Sequence, residues 1–174
     1  CDRALNFNTL DLIVYINKAS LYAVQKKYVD AFYYVNKLKE LSFNTSVGYI
    51  VKASIYASRG EANNAISEVS DGISKRVTGI EALYRIRGNC YLSVRDFERA
   101  INDYTKVIEL VQSDASAYYQ RGLSYLQMGY RDKNNDMQDK AIADFTEALK
   151  LSQDKNIRYN AYLFRGGSLV LKLE

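Results

Sequence analysis

The sequence predicts an all-α fold in which one helix pair is repeated along the chain. Three observations carry that prediction. A leading aromatic recurs as Tyr15, Tyr49, Tyr84, Tyr118 and Tyr162, spaced 34, 35, 34 and 44 residues apart. Four residues after each stands a small one: Ala19, Ala53, Gly88, Gly122 and Gly166. Three further on comes a second aromatic, Tyr22, Tyr56, Tyr91 and Tyr125, replaced by Leu169 in the fifth copy. Positions i, i+4 and i+7 share one face of a helix. A second helix is marked by Ala31, Ala65, Ala100 and Ala141, each followed four residues later by Val35, Val69, Tyr104 or Phe145. Neither helix buries its apolar stripe alone, so successive pairs must stack into a continuous core.

The third copy, with ALYRIRGNCYLSVRDFERA over Ala82–Ala100, is the most regular. Its marks and the period of about 34 residues resemble the tetratricopeptide repeat (TPR), whose pattern is W-x2-L-G-x2-Y…A-x3-F. The resemblance covers essentially the whole chain. It implies an all-α, right-handed TPR superhelix, an α-solenoid of about four full repeats with partial repeats at both ends, some ten helices in one domain over 1–174. Three departures make this a divergent subtype. The leading Trp is always Tyr. The residue before the small one is basic, as Lys18, Lys52, Arg87, Arg121 and Arg165. The chain has no Pro to follow the second helix.

Taken in order, residues 1–11 match the tail of a second helix, in phase with the repeat. The competing reading is a lipoprotein processed at Cys1 and anchored through it in a bacterial envelope assembly. The first copy spans about 12–45, with helices expected over 11–24 and 27–41. The second spans 46–80, with Gly60 at its tight inter-helix turn and a weaker second helix expected around Gly72. The third covers 81–114. The fourth, 115–158, is irregular: its second aromatic and its alanine lie 16 residues apart rather than 9. The seven extra residues fall within Gln127–Lys140 and are expected to form a polar turn with partial helix extension and a mobile tip at 131–136. Asp132, Asn134 and Asp136 alternate as in a calcium loop, but the Gly and the closing Glu of that motif are missing. A half-repeat, 159–174, ends in the apolar LFRGGSLVLKL, which implies a truncated array or an end covered by a partner.

Composition narrows the function. The chain has 174 residues, a net charge of +4 and 25% charged residues. That mild, mixed balance does not point to nucleic acid. No apolar run is long enough to span a membrane. There is no His, and Cys1 and Cys90 make neither a disulfide framework nor a metal cluster. No Gly-rich phosphate loop, zinc spacing or nucleophile–base pair occurs, so neither enzyme activity nor a cofactor is expected, and a cytoplasmic location is favoured over the anchored one. The oligomeric state cannot be read from the sequence.

The TPR resemblance implies binding of a protein segment in a groove lined by the first helices. By helical spacing the candidate groove positions are Ile13, Ile16, Ser20, Val47, Ile50, Ser54, Arg85, Asn89, Tyr119, Gln120 and Leu123. The family's clamp for chaperone C-terminal carboxylates is incomplete. Arg85 and Asn89 stand four apart and Gln120 takes an Asn position, but Asn160 and Phe164 stand where two cations belong. The reading is therefore a non-catalytic scaffold for a peptide or partner helix, part of a longer TPR protein. The alternative from another class is an RNA-binding helical repeat, which needs readout residues at one fixed position in every copy; here those positions vary. The basic residue before each small one is expected to pair with an acid on the second helix: Arg87 with Asp103, Arg121 with Asp144, Lys52 with Glu68. In the first copy Lys18 meets Tyr34 rather than an acid.

Overall fold

The computed structural model describes residues 9–42 and 44–171. Among them are nine helices, α1 (Thr9–Val24), α2 (Tyr28–Leu41), α3 (Val47–Ser58), α4 (Ala62–Ser74), α5 (Ile80–Ser93), α6 (Phe97–Leu110), α7 (Ala115–Asp132), α8 (Asn135–Leu151) and α9 (Lys155–Leu171). Odd-numbered helices are the first helices of the repeats and even-numbered ones the second, so the all-α class holds. The suggested tail of a preceding repeat, with Cys1, falls on residues 1–8, outside those described; 9–11 belong to α1. The chain divides into two compact units, Cys1–Ile86 and Arg87–Glu174, with the boundary inside α5.

The alanines of the second helices, Ala31, Ala65, Ala100 and Ala141, are all 0% exposed, as are the residues four after them. Sizes across the helix pair are matched. Where the first helix offers alanine (Ala19, Ala53), the partner is valine (Val35, Val69). Where it offers glycine, the partner is a ring. A Cβ at Gly88 would lie 3.0 Å from the Tyr104 ring, and one at Gly122 would lie 2.9 Å from Phe145. Close packing leaves no slack for a methyl group there.

Gly72 departs from expectation. α4 runs unbroken through it, and no larger residue fits, because a Cβ would meet Leu83 at 2.8 Å and the Tyr49 ring at 2.9 Å. Close approach is what the glycine provides. In the same unit an isolated parallel bridge joins Thr45 to Thr78, positions about one period apart.

The turns joining first to second helices share a left-handed residue: Lys26 (φ 58°), Gly60 (φ 76°), Arg95 (φ 60°) and Lys133 (φ 51°). This conformation closes the first helix and frees the chain to reverse.

In the irregular fourth copy the expected helix extension is present and takes up the extra residues, leaving only a short turn: α7 reaches Asp132 and α8 starts at Asn135. Asn134 caps α8 by accepting from the Asp136 N–H at 3.0 Å, and buried Gly129 faces Met137. The tip carries an ion-pair network, Arg131 to Glu98 at 2.5 Å and to Asp132 at 2.7 Å. A helical extension gives these residues a backbone hydrogen-bond ladder that a loop would leave to solvent.

The predicted helix-to-helix pairs are formed. Arg87 donates through Nε and Nη2 to the two carboxylate oxygens of Asp103, at 2.8 and 2.7 Å. Arg121 holds Asp144 in the same two-pronged way, both bonds 2.8 Å, and also donates to Thr105 Oγ1 at 3.0 Å. Lys52 reaches Glu68 at 2.8 Å, and Lys39 meets the same carboxylate at 2.6 Å. Lys18, without an acid, lies over the Tyr34 ring, 5.1 Å from its centre, a cation–π contact. Burial pushes the Asp103 and Asp144 carboxyls above the ordinary carboxylate range even with the arginines pulling the other way. The pairs therefore fix geometry more than they add net stability.

Two outcomes test this packing. Asp144→Ala and Arg121→Ala, each stranding a partly buried partner, should each lower unfolding free energy by about 1–3 kcal/mol. The double variant should lose less than the sum, by about 1 kcal/mol of coupling in a urea double-mutant cycle. Deleting seven residues within Gln127–Lys140 should lower stability by more than about 1 kcal/mol; a true solvated loop would lose almost nothing.

Candidate functional site

Within the first unit, α1 and α3 flank a pocket of about 450 Å³. Ser20, Ala23 and Val24 of α1 form one wall; Ile50, Val51, Ser54, Ile55 and Ser58 of α3 form the other; Lys26 and Tyr28 close the end. Its polarity is lower than the three serines suggest. Ser54 Oγ donates to the Ile50 carbonyl and Ser58 Oγ to the Ile55 carbonyl, both at 2.8 Å. These two hydroxyls serve their own helix, which leaves a largely apolar recess with Lys26 in its lining.

Of the expected groove residues, the structure brings Ser20, Ile50 and Ser54 together here. Ile13, 48% exposed, and half-buried Ile16 lie on earlier turns of α1, and Val47 lies one turn before Ile50; none of the three lines the pocket. Ala23, Val24 and Ser58 were missed, although each stands three or four residues beyond a named groove residue, the spacing that keeps a helix face.

Arg85 and Asn89 stand four apart on α5, Arg85 half-buried and Asn89 exposed. Asn89 is tied into the helix pair, because its Oδ1 accepts a 2.6 Å hydrogen bond from the Tyr104 hydroxyl. Tyr104 is 0% exposed, and burial raises its pKa. It is a neutral donor that needs this acceptor.

In the second unit Tyr119 packs against Phe145 and Phe164, with ring centres 5.9 and 6.4 Å away. Gln120 is half-buried, and its carbonyl accepts from Ser124 at 2.8 Å. Leu123 lines a pocket of about 300 Å³ with Leu92, Phe97, Gln127, Phe164 and Arg95. Beside it lies another of about 330 Å³, with Tyr130 and Arg131 as added walls. The extension of α7 supplies those walls, so the seven-residue insertion was the only sequence signal for them.

The chemistry on offer is contact rather than reaction. Burial pushes the Cys90 thiol up and away from its reactive form. Among the described residues no group of three or more Cys, Asp or Glu could hold a metal ion, and no helix is long and apolar enough to cross a membrane.

Comparison with known proteins agrees with the repeat. Residues 88–129 match the family model described as TPR repeat. A TPR repeat-containing protein of Methanocaldococcus jannaschii is 26% identical over 81% of this chain, and the chain spans about a quarter (24%) of that relative's length. YrrB, a TPR protein with an unusual peptide-binding site, superposes with a TM-score of 0.68 at 19% identity, covering 95% of this chain and 79% of its own. The first TPR of Spaghetti, solved bound to the HSP90 peptide SRMEEVD, does so with a TM-score of 0.60 at 18% identity, covering 72% and 94%.

The Asn89–Tyr104 bond has a measurable effect. Asn89→Ala should cost about 1–3 kcal/mol in urea unfolding by stranding the buried hydroxyl. Tyr104→Phe added to it should restore most of that loss. A residue that served only a ligand would show no change in the free protein.

Proposed function

We propose that this chain, a repeat protein of the tetratricopeptide type, acts without chemistry of its own, as a scaffold that holds a peptide or partner helix along its first helices. One observation carries the reading: the apolar recess between α1 and α3, open to solvent and walled by Ile50, Val51, Val24 and Ala23. An amphipathic helix or extended segment inserting apolar side chains is the occupant that such a recess suits. Lys26 in its lining favours a segment with an acidic residue or a terminal carboxylate beside the apolar anchor. The peptide-bound relative and the peptide site named for YrrB support the same use of this fold.

Ile50 and Ser54 are assigned to the anchor site. Arg85, on the α5 face, is assigned a polar contact to a backbone carbonyl or carboxylate. Tyr119, Gln120 and Leu123 are assigned to the groove face of α7, where Tyr119 also braces α9 through Phe164.

Affinity purification from the source organism with wild-type and Ile50→Asp proteins side by side, followed by titration of each identified partner, tests the reading. The aspartate sets an unpaired charge against apolar walls and should weaken binding by about 2 kcal/mol or more. Arg85→Ala should weaken it by about 1 kcal/mol. Circular dichroism and urea unfolding check that both variants fold. Partners whose affinity ignores both substitutions would overturn groove binding.

A further inference from the structure

The recess of the first unit has a counterpart in the second. Lys26, Tyr28, Ser54 and Ser58 help line the first. The residues 69 positions on, two repeats later, are Arg95, Phe97, Leu123 and Gln127, and all four line the pocket of about 300 Å³. In both units the cation is the left-handed residue of the inter-helix turn, Lys26 at φ 58° and Arg95 at φ 60°, and the aromatic follows two residues on. The other copies break this pattern, with Gly60 and Ala62 at these places in the second and Lys133 and Asn135 in the fourth. The remaining walls of the counterpart are Leu92 of α5 and Phe164 of α9, whose ring is turned inward onto Phe145 of α8.

Two changes of residue set what the counterpart takes. Leu123 replaces Ser54 and, with Leu92 and Phe164, makes an apolar wall. Gln127 replaces Ser58, whose hydroxyl is bound to its own helix. The Gln127 amide is exposed and makes no hydrogen bond among the described residues. The extension of α7 then adds the adjoining pocket of about 330 Å³, which shares Arg95, Phe97 and Gln127 and gains Tyr130 and Arg131. Its lining holds two guanidiniums, an amide and a phenol, and no carboxylate. Arg131 is fixed, paired with Glu98 and Asp132 and lying 5.5 Å from the centre of the Phe97 ring. Those two acids are thereby taken up, which leaves Arg95 as the surplus cation. Neither its guanidinium nor the Tyr130 hydroxyl has an ion pair or hydrogen bond among the described residues. Exposed donors around a lining without an acid complement an anionic group.

Two pockets that share three walls suit neighbouring side chains of one segment, and in an extended chain side chains two apart point the same way. We propose that this face of α5 and α7 is a second docking site, for an extended segment of a partner protein with a large apolar residue and a glutamate two positions apart. The apolar side chain enters between Leu92, Leu123 and Phe164. The glutamate carboxylate pairs with Arg95 and accepts a hydrogen bond from the Tyr130 hydroxyl. The Gln127 amide bonds the peptide group between them. The inference rests on the first helices being a peptide-binding face, and it gives the second unit a sequence preference of its own.

The probes are two short peptides with Phe-Ser-Glu or Glu-Ser-Phe at the centre, flanked by Gly and Ser and capped at both ends so that they carry no terminal charge. Each is titrated into the isotope-labelled whole chain, with backbone amide and arginine Nε signals followed by NMR. One of the two orders should give saturable shifts centred on Leu92–Phe97 and Leu123–Arg131. Replacing its Glu by Gln, or its Phe by Ser, should weaken binding about fivefold or more. Arg95→Asn, which keeps a residue that tolerates the left-handed backbone, and Leu123→Ser, which puts in the serine of the first unit, should do the same with circular dichroism unchanged. Arg95→Glu should weaken the probe and restore affinity for its version with Lys in place of Glu. Absence of saturable shifts at these residues with either probe, or equal affinity across the variants, would overturn the proposal. Shifts confined to α1 and α3 would leave groove binding in the first unit standing and overturn this site alone. Tighter binding of an uncapped probe without Glu would assign the site to a chain terminus, and a dimer seen by sedimentation that dissociates with Arg95→Glu would assign it to a second copy; either would overturn the internal glutamate segment.

Discussion

Where two helices meet over a glycine or an alanine, the backbones come too close for a long side chain to pass between them. The cation beside that small residue must lie along the interface and be met by the facing helix. The repeats solve this in three ways. The third and fourth copies use an aspartate held by two parallel hydrogen bonds from an arginine. The second uses a glutamate shared by Lys52 and Lys39, so that one carboxylate ties α3 and α2 to α4. The first uses the face of Tyr34. A planar two-pronged contact fixes rotation and height together, so it sets which residue of the second helix opposes the small one. The size matching of Gly88 with Tyr104 and of Gly122 with Phe145 depends on that register.

Much of the fold was legible because the features that define it are periodic. The small residue, the buried alanine and the cation–acid pairs recur from copy to copy, and recurrence is what a sequence displays. What was misread was local. Gly72 looked like a defect in α4 because the sequence does not show Tyr49 and Leu83 closing on it. Gln127–Lys140 looked like a polar turn with only partial helix extension because its residues are polar. Yet polar residues with helix-forming neighbours extend a helix when the core of the previous turn already holds both helices in place. Tyr162 and Leu169 match core positions of the repeat, yet they stand 51% and 48% exposed on α9.

The site was less legible than the fold for the same reason. Helical spacing gave the direction in which Ile50 and Ser54 point, and they meet Ser20 in the recess. Spacing could not show that Asn89 is held by Tyr104 or that Tyr119 braces α9. Both depend on which neighbour happens to be aromatic in that copy. Nor could it show that the Ser54 and Ser58 hydroxyls turn back onto α3, which is what makes the walls of the recess apolar.

Three of the four turns between paired helices set a cation, Lys26, Arg95 or Lys133, in the left-handed backbone region that glycine occupies without steric cost. A positive charge at a helix C-terminus interacts well with the helix dipole, which offsets part of that cost but also leaves a modest reserve of stability. Glycine at any of these sites relaxes the backbone without touching the core. Changes in a binding surface usually erode stability, and a lineage that can compensate for them elsewhere can explore more of them. In this protein that slack sits at the helix ends, so side chains on the exposed helix faces can change while the helix pairs beneath them stay the same.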